Sequence, residues 1–244
     1  MSVLVPPSPA EGQASRTAQV FRKIIAGGPG RPTRLHSERG ELMPASGLVY
    51  LPRTVWTWSR RRMTGFRPEE PWWPFPVIPV IESLLKPESK VLEFGSGQST
   101  LWLARRAGLV VSIEDDPAWH RRVTHRLSEL GAANATVRLA EGPAYYDLSS
   151  AGTDQFDFVV VDGSYRWLCI EAAIPRLKPG GALYFDNSDA DKDLNLYTEK
   201  GMSRMAASSL EAYARKNPAA RVERFVGLIN GELHVGEGML LTLN

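Results

Sequence analysis

From Lys90 onward the chain alternates short, almost wholly apolar runs with longer amphipathic ones, and few folds accept that order. "KVLEF", "LVVSIE", "ATVRLAEG", "FDFVVVDG" and "ALYFDN" read as strands. Between them "STLWLARRAG", "DPAWHRRVTHRLSELG" and "YRWLCIEAAIPRLKPGG" read as helices, the last running into a turn. Strands that are apolar throughout need cover on both faces, and a strand, helix, strand order joins neighbours in parallel. The helix after Asp116 is the best signposted. Asp116 is its N-cap, Pro117 its first position, and Gly131 its stop, while Trp119, Val123, Leu127 and Leu130 form one face. Near the end "RVERFVGLI" and "GMLLTLN", joined by "NGELHVGE", predict a closing antiparallel pair.

What precedes Lys90 follows no such rhythm. Residues 1–15 are rich in Pro, Ser and Ala and predict a disordered arm. Residues 16–75 predict a largely helical or irregular extension, a lid or a dimer contact. It holds a short helix at "RTAQVFRKIIAG", an extended "GLVYLP" and a helix with a tryptophan face at "RTVWTWSRRRM". The main domain then spans 76–244, entered through "PWWPFPVIPVIESLLKPES", whose Val77, Ile78, Ile81, Leu84 and Leu85 recur at helical spacing. The first 80 residues carry 11 Lys/Arg against 5 Asp/Glu, a net of +6, against −4 for the rest. Because "RPTRLHSERGE" mixes signs and lacks interleaved aromatics, that excess argues against a nucleic-acid surface. No apolar run approaches the roughly 20 residues that cross a bilayer. The first residues lack a basic start followed by an apolar core, so the expected location is cytoplasmic. The only cysteine, Cys169, stands among apolar neighbours and reads as a packing thiol.

Ligands of an open parallel sheet bind beyond the carboxyl ends of its strands, and four of the five ends here are polar. The first is "EFGSGQST". Gly95 and Gly97 permit a tight turn and close approach of a ligand, but Thr100 stands where a dinucleotide fingerprint would place its third glycine. Ser99 and Thr100 open a helix whose free N–H groups suit a carboxylate or phosphate. Glu93, two residues before the turn, would repel a pyrophosphate and can hold an ammonium, which favours a nucleoside bearing an amino acid. Glu114 closes the second strand 19 residues after Gly95, where a carboxylate can accept from both ribose hydroxyls.

With these residues in view, the chain resembles the seven-stranded, class I S-adenosylmethionine-dependent methyltransferases. The resemblance covers roughly Pro76 to Asn244 and rests on "VLEFGSGQST", "VVSIEDD", "FDFVVVDG" and "LKPGGALYFDN" in that order. It implies a Rossmann-like three-layer α/β sandwich with a mostly parallel seven-stranded sheet and an antiparallel C-terminal pair. It also implies S-adenosyl-L-methionine as cofactor, with Glu93 on the methionine amine, Gly95, Ser96 and Gly97 against the cofactor, and Ser99 and Thr100 at the helix start. Glu114 and Asp115 would meet the ribose side, Gly142, Pro143 and Ala144 of "EGPA" would border the adenine, and Asp162 would close the site. Trp119 stands where it can flank the purine or pack in the core.

The acceptor is read from the later strand ends. Asp162, Asp186 and Asn187 offer three oxygen ligands, a partial shell for Mg²⁺ that would ease deprotonation of a phenol of pKa about 10. The trio resembles that of metal-dependent catechol-type and sugar O-methyltransferases. Where catechol-type enzymes place a lysine, three residues beyond the first Asp, this chain has Tyr165, followed by Arg166. Asp162, Tyr165 and Arg166 are therefore the catalytic candidates, with His36 and His234 as further bases. The reading is methyl transfer to a small-molecule hydroxyl, with Trp56, Trp58, Trp72 and Trp73 covering the acceptor and the extension available to pair two subunits. Rivals are N-methylation, for which "DGSY" lacks the usual prolines, a nucleic-acid methyltransferase using Arg60, Arg61 and Arg62, an aminopropyl transferase, and a non-catalytic nucleoside-binding module.

Overall fold

The computed structural model describes residues 26–27, 31–65, 69–149, 154–190 and 203–244. The expected disordered arm, and all but Ala26 and Gly27 of the expected first helix, lie outside these residues. A 3₁₀ segment, Ala45–Tyr50, leads directly into α1 (Leu51–Thr64). The stretch "GLVYLP" is thus helical, not extended, because Pro52 falls in the first turn of α1, where its fixed φ suits a helix. α2 (Val77–Leu84) follows, burying Val77 and Ile81.

The regular alternation then unfolds as β1 (Lys90–Phe94), α3 (Gln98–Ala104), β2 (Leu109–Glu114), α4 (Pro117–Glu129), β3 (Ala135–Leu139), the single turn α5 (Pro143–Tyr146), β4 (Phe156–Val161) and α6 (Arg166–Ala173). A 3₁₀ turn, Ile174–Arg176, precedes β5 (Leu177–Asp186), which begins earlier than "ALYFDN" and shifts register against β4 between Phe156 and Phe158. α7 (Ser203–Lys216), β6 (Ala220–Leu228) and β7 (Val235–Leu243) complete the chain. The sheet order is β3-β2-β1-β4-β5-β7-β6, parallel through β5 and antiparallel for the last two. The expected Rossmann-like sandwich with its antiparallel pair is therefore the fold observed.

Side chains of each strand alternate between two cores. Leu92, Phe94, Val159, Val161, Leu183 and Phe185 meet α5, α6 and α7 through Tyr145, Cys169, Ile170 and Leu210. Val91, Phe158, Val160 and Tyr184 face the other way onto Val77 and Ile81 of α2, Trp102 and Leu103 of α3, and Trp73. Cys169 is fully buried, as expected of a packing thiol, and burial pushes its pKa up.

The extension is built into the sheet's antiparallel end. Met43 and Phe75 share a core with Val226, Leu228 and Val235. The Phe75 N–H donates to Leu228 O at 2.9 Å, and the Val235 N–H to Arg34 O at 2.9 Å. Thr57 of α1 accepts from the Gly231 N–H. Among the described residues no helix is long and apolar enough to cross a membrane.

Candidate active site at the strand ends

β2 and β3 lie to one side of β1, and β4 to the other, so the chain reverses direction across the sheet between β1 and β4. Ligand crevices of open α/β sheets form at that point. The register pairs Phe94 with Val161, which sets Gly95 beside Asp162 and Gly163. The backbones nearly touch there. A Cβ on Gly95, whose φ is +91°, would stand 2.8 Å from Gly163 N, and one on Gly163 would stand 2.0 Å from the Tyr145 hydroxyl and 2.7 Å from Gly95 N. Both positions accept only glycine, and between them opens a cleft of about 200 Å³. Gly95, Ser96, Ser99, Glu114, Asp115, Trp119, Asp162, Gly163 and Ser164 line it.

Glu93 has a different place from the one expected. It is fully buried beneath the turn, and Ser99, Thr100 and Ser112 donate to its carboxyl group at 2.5–2.6 Å. No ammonium can reach it without displacing those hydroxyls, so Glu93 braces the turn from below. Burial pushes its pKa up to about 7, against the pull of the three hydroxyls. The Gly97 N–H donates to Thr100 Oγ1, closing the start of α3.

Glu114 does border the cleft, at 6% exposure. Its Oε2 accepts from the Ser96 N–H at 2.9 Å and the Ser96 hydroxyl at 2.7 Å, while Oε1 accepts from the Asp115 and Asp116 N–H groups. A carboxylate offers about four acceptor directions, so all are in use. Ser96 also accepts, at its carbonyl, from the Trp119 indole N–H. Trp119 is aimed there by Asp116, the N-cap of α4, whose side chain accepts from the Ala118 and Trp119 N–H groups at 2.7 and 2.8 Å. Those two bonds hold the Asp116 carboxyl below its usual range. Gly142, Pro143 and Ala144 are not part of the cleft wall. They open α5, whose Tyr145 is wedged under Gly163, although Ala140 N–H donates to Glu114 O and keeps that segment alongside.

On the acceptor side the trio converges, with a fourth member among it. Asp162 Oδ2 accepts from the Trp73 indole N–H at 3.1 Å, and Asp186 Oδ1 from the Tyr184 hydroxyl at 2.6 Å. Arg166 donates through Nε to Gly163 O at 3.0 Å, through one terminal nitrogen to Ser203 Oγ at 3.2 Å, and through the other to Asn187 Oδ1 at 3.0 Å. That last nitrogen lies 3.7 Å from Asp162 Oδ1. Burial raises both aspartates, Asp186 the more strongly because the Asp162 charge adds to it, whereas Arg166 and Trp73 draw Asp162 back down.

This donor set does not fit Mg²⁺. A divalent ion asks for near-octahedral oxygens, most of them free or water. Here the Asn187 oxygen is already taken by a guanidinium, and one oxygen of Asp186 by the Tyr184 hydroxyl. A dication about 4 Å from that guanidinium would be repelled by roughly 8 kcal/mol at an effective dielectric near 20. Among the described residues no group of three or more His, Cys, Asp and Glu is arranged to hold a metal.

Tyr165 adopts a left-handed conformation, φ +50°, and Asn187 does so at +51°. Such strain in residues with side chains concentrates at functional sites. The Tyr165 ring packs on Tyr145 and Tyr146, at centroid distances of 5.6 and 5.7 Å. His36 pairs with Thr33 and His234 lies near Glu232, neither on the cleft wall. Of the four tryptophans expected over the acceptor, Trp73 is buried in the core and reaches the site through its N–H, Trp72 lies under Arg61, Trp58 is half-buried on α1, and Trp56 is 54% exposed. Gly163, Ser164 and Tyr184 are site residues that sequence reasoning missed, and Trp73, expected to cover the acceptor, instead bonds Asp162. "DG" after a strand was the one signal, for Gly163.

A family model described as a methyltransferase domain matches residues 92–188. No curated protein sequence matches the chain. Among solved structures, the O-methyltransferase TomG from Streptomyces achromogenes, involved in tomaymycin synthesis and crystallised with SAM, is 17% identical with a TM-score of 0.58, covering 82% of this chain and 96% of its own. An O-methyltransferase from Bacillus cereus in complex with SAH is 15% identical at a TM-score of 0.57, covering 82% and 97%. An rRNA methylase from Streptococcus thermophilus is 18% identical at 0.51, covering 67% and 91%. At these identities the likeness is one of fold. The glycine turn and the strand order give the chain the Rossmann-like fold of these structures, and residues 92–188 are similar to the methyltransferase-domain family.

Proposed function

We propose that the protein transfers a methyl group from S-adenosylmethionine to a hydroxyl of a small molecule. The observation that carries this reading is the convergence of the Gly95–Gly97 turn, Glu114 and Asp162 on one cleft at the β1/β4 reversal. The cofactor supplies an activated sulfonium methyl, so the chain's task is alignment and proton removal. Gly95 lets the ligand approach the backbone, and Glu114 accepts from the ribose once Ser96 gives way. Asp162, whose side chain is 27% exposed, takes the acceptor's proton. The O-methyltransferases of like fold support a hydroxyl acceptor.

A small molecule is favoured over nucleic acid because the basic run of α1 is already engaged. Arg61 pairs with Glu232, and Arg60 lies over the Trp56 ring. Exposed Val49, Val55 and Trp56 give the extension a face on which two copies can pair, which equilibrium sedimentation tests, a monomer at all concentrations refuting it.

The reaction is tested by calorimetry with S-adenosylmethionine and by mass spectrometry of a phenol and catechol panel. Gly95→Arg should abolish binding, and Asp162→Asn should keep binding but slow turnover by about 100-fold or more. A folded protein that binds no cofactor sinks the proposal. RNA binding that falls steeply with salt would move the acceptor to nucleic acid.

A further inference from the structure

The acceptor side of the cleft holds a cation of its own, hydrogen-bonded to one of the oxygens that a metal ion would need and 3.7 Å from another. We propose that Arg166 is the resident cation of this site, replacing a divalent metal, so that the protein neither binds nor requires Mg²⁺ there. This inference rests on the methyl-transfer reading for its catalytic half and on geometry alone for its metal-binding half.

Three observations converge on Arg166. Its guanidinium sits at the end of β4, tied to Gly163 O and Ser203 Oγ, and is only 14% exposed, so its position is fixed from two elements. Its remaining terminal nitrogen reaches Asn187 Oδ1 at 3.0 Å and Asp162 Oδ1 at 3.7 Å, two of the three oxygens expected to ligate an ion. Finally, Asn187 holds a left-handed φ of +51°, which Asn adopts more readily than other residues with side chains. The backbone turn presents the side chain to the guanidinium. A planar fork with five donors can span two such oxygens, which a compact lysine ammonium cannot do in the same plane.

The role follows from charge. Asp162 is the cleft-wall carboxylate that Arg166 adjoins, and a fixed positive group beside it keeps that carboxylate ionised and so available to take the acceptor's proton. A metal-dependent site does this with an exchangeable ion, whereas here the cation is covalently part of the chain and carries no dependence on metal concentration. Arg166 touches Asp162 and Asn187, and so acts as a positioning residue.

The test has two arms. In the first, Mn²⁺ is titrated into the full-length protein and followed by electron paramagnetic resonance, with and without S-adenosylhomocysteine. The wild type should leave the Mn²⁺ signal free, while Arg166→Ser, which uncovers the Asp162 and Asn187 oxygens, should bind the ion. Wild-type Mn²⁺ binding that is lost in Asp162→Asn overturns the proposal whether or not any acceptor is turned over. In the second arm, wild-type methyl transfer should be unchanged by EDTA and by added Mg²⁺. Arg166→Ser should lower kcat by about 100-fold while cofactor affinity holds, with partial rescue by added guanidinium ion. Loss of wild-type turnover in EDTA that Mg²⁺ restores, or an Arg166→Ser enzyme with unchanged kcat, overturns it. If Arg166→Ser fails to fold on thermal melting, Arg166→Lys stands in: charge retained without the fork should keep Mn²⁺ out and give intermediate kcat, and Mn²⁺ uptake by that variant overturns the proposal. Absence of methyl transfer to every acceptor would fall on the functional reading and leave the Mn²⁺ result standing.

Discussion

Ser96 makes three hydrogen bonds at once: its N–H and hydroxyl occupy Glu114 Oε2, and its carbonyl accepts from Trp119. The hydroxyl stands where a ribose hydroxyl would have to donate. Ser96→Ala should therefore tighten cofactor binding by up to about tenfold, the worth of one displaced hydrogen bond, as measured by calorimetry. Glu93 offers a second prediction through pH. Its pKa rises from 4.5 to about 7 on burial, so between those values the folded chain holds a proton that the unfolded chain has released. Stability is fully present below about pH 4.5 and falls as pH climbs to about 7, by roughly 3 kcal/mol. Urea denaturation across that range should show the decline in the wild type and lose it in Glu93→Gln. Neither residue's role was legible in the sequence. A carboxylate two residues before a glycine turn carries no mark of whether it faces ligand or core, and here the parity of β1 puts Glu93 inward, toward Ser112 of β2.

At the scale of elements, Trp73 ties the approach to α2 into the site. Its ring is fully buried, packing edge-on to Trp102 at 6.0 Å and against Tyr184 at 4.6 Å, while its N–H reaches Asp162. Trp73→Phe should keep most of the packing but free Asp162. The expected cost is about 1 kcal/mol in stability with a clear fall in kcat, whereas Trp73→Ala should cost about 3–5 kcal/mol. Denaturant titration alongside turnover separates the two effects. The strands were legible because a strand covered on both faces must be apolar at nearly every position, as "FDFVVVDG" is. α4 was legible from Asp116, Pro117 and Gly131. α7 was not, since the side chains it buries are Ser203, Ala206, Ala207 and Leu210, mostly too small to mark a helical stripe. The Ala45–Tyr50 segment misled for a related reason: Leu48, Val49 and Tyr50 resemble a strand, but Leu48 and Val49 are exposed.

Across the whole molecule, the extension and the antiparallel end of the sheet complete each other. Arg31 is bound to Glu38 and Val235 O, Glu38 N–H donates to Asp189, and Arg39 pairs with the fully buried Glu237. Burial raises the pKa of both Asp189 and Glu237, so this network depends on the arginines that the extension brings. A chain begun at Pro76 should therefore fail to fold independently, which circular dichroism and limited proteolysis of that truncation would check; a cooperative melt would contradict it. The order of synthesis gives the same arrangement another consequence. Phe75 stacks on Tyr50 close by, but the rest of its seat, Val226, Leu228 and Val235, comes about 150 residues later, which at roughly 5–20 residues per second is some 8–30 s of translation. Through that interval the nascent chain carries Met43 and Phe75 with that seat not yet made, so a part of this protein made early is among the last to settle.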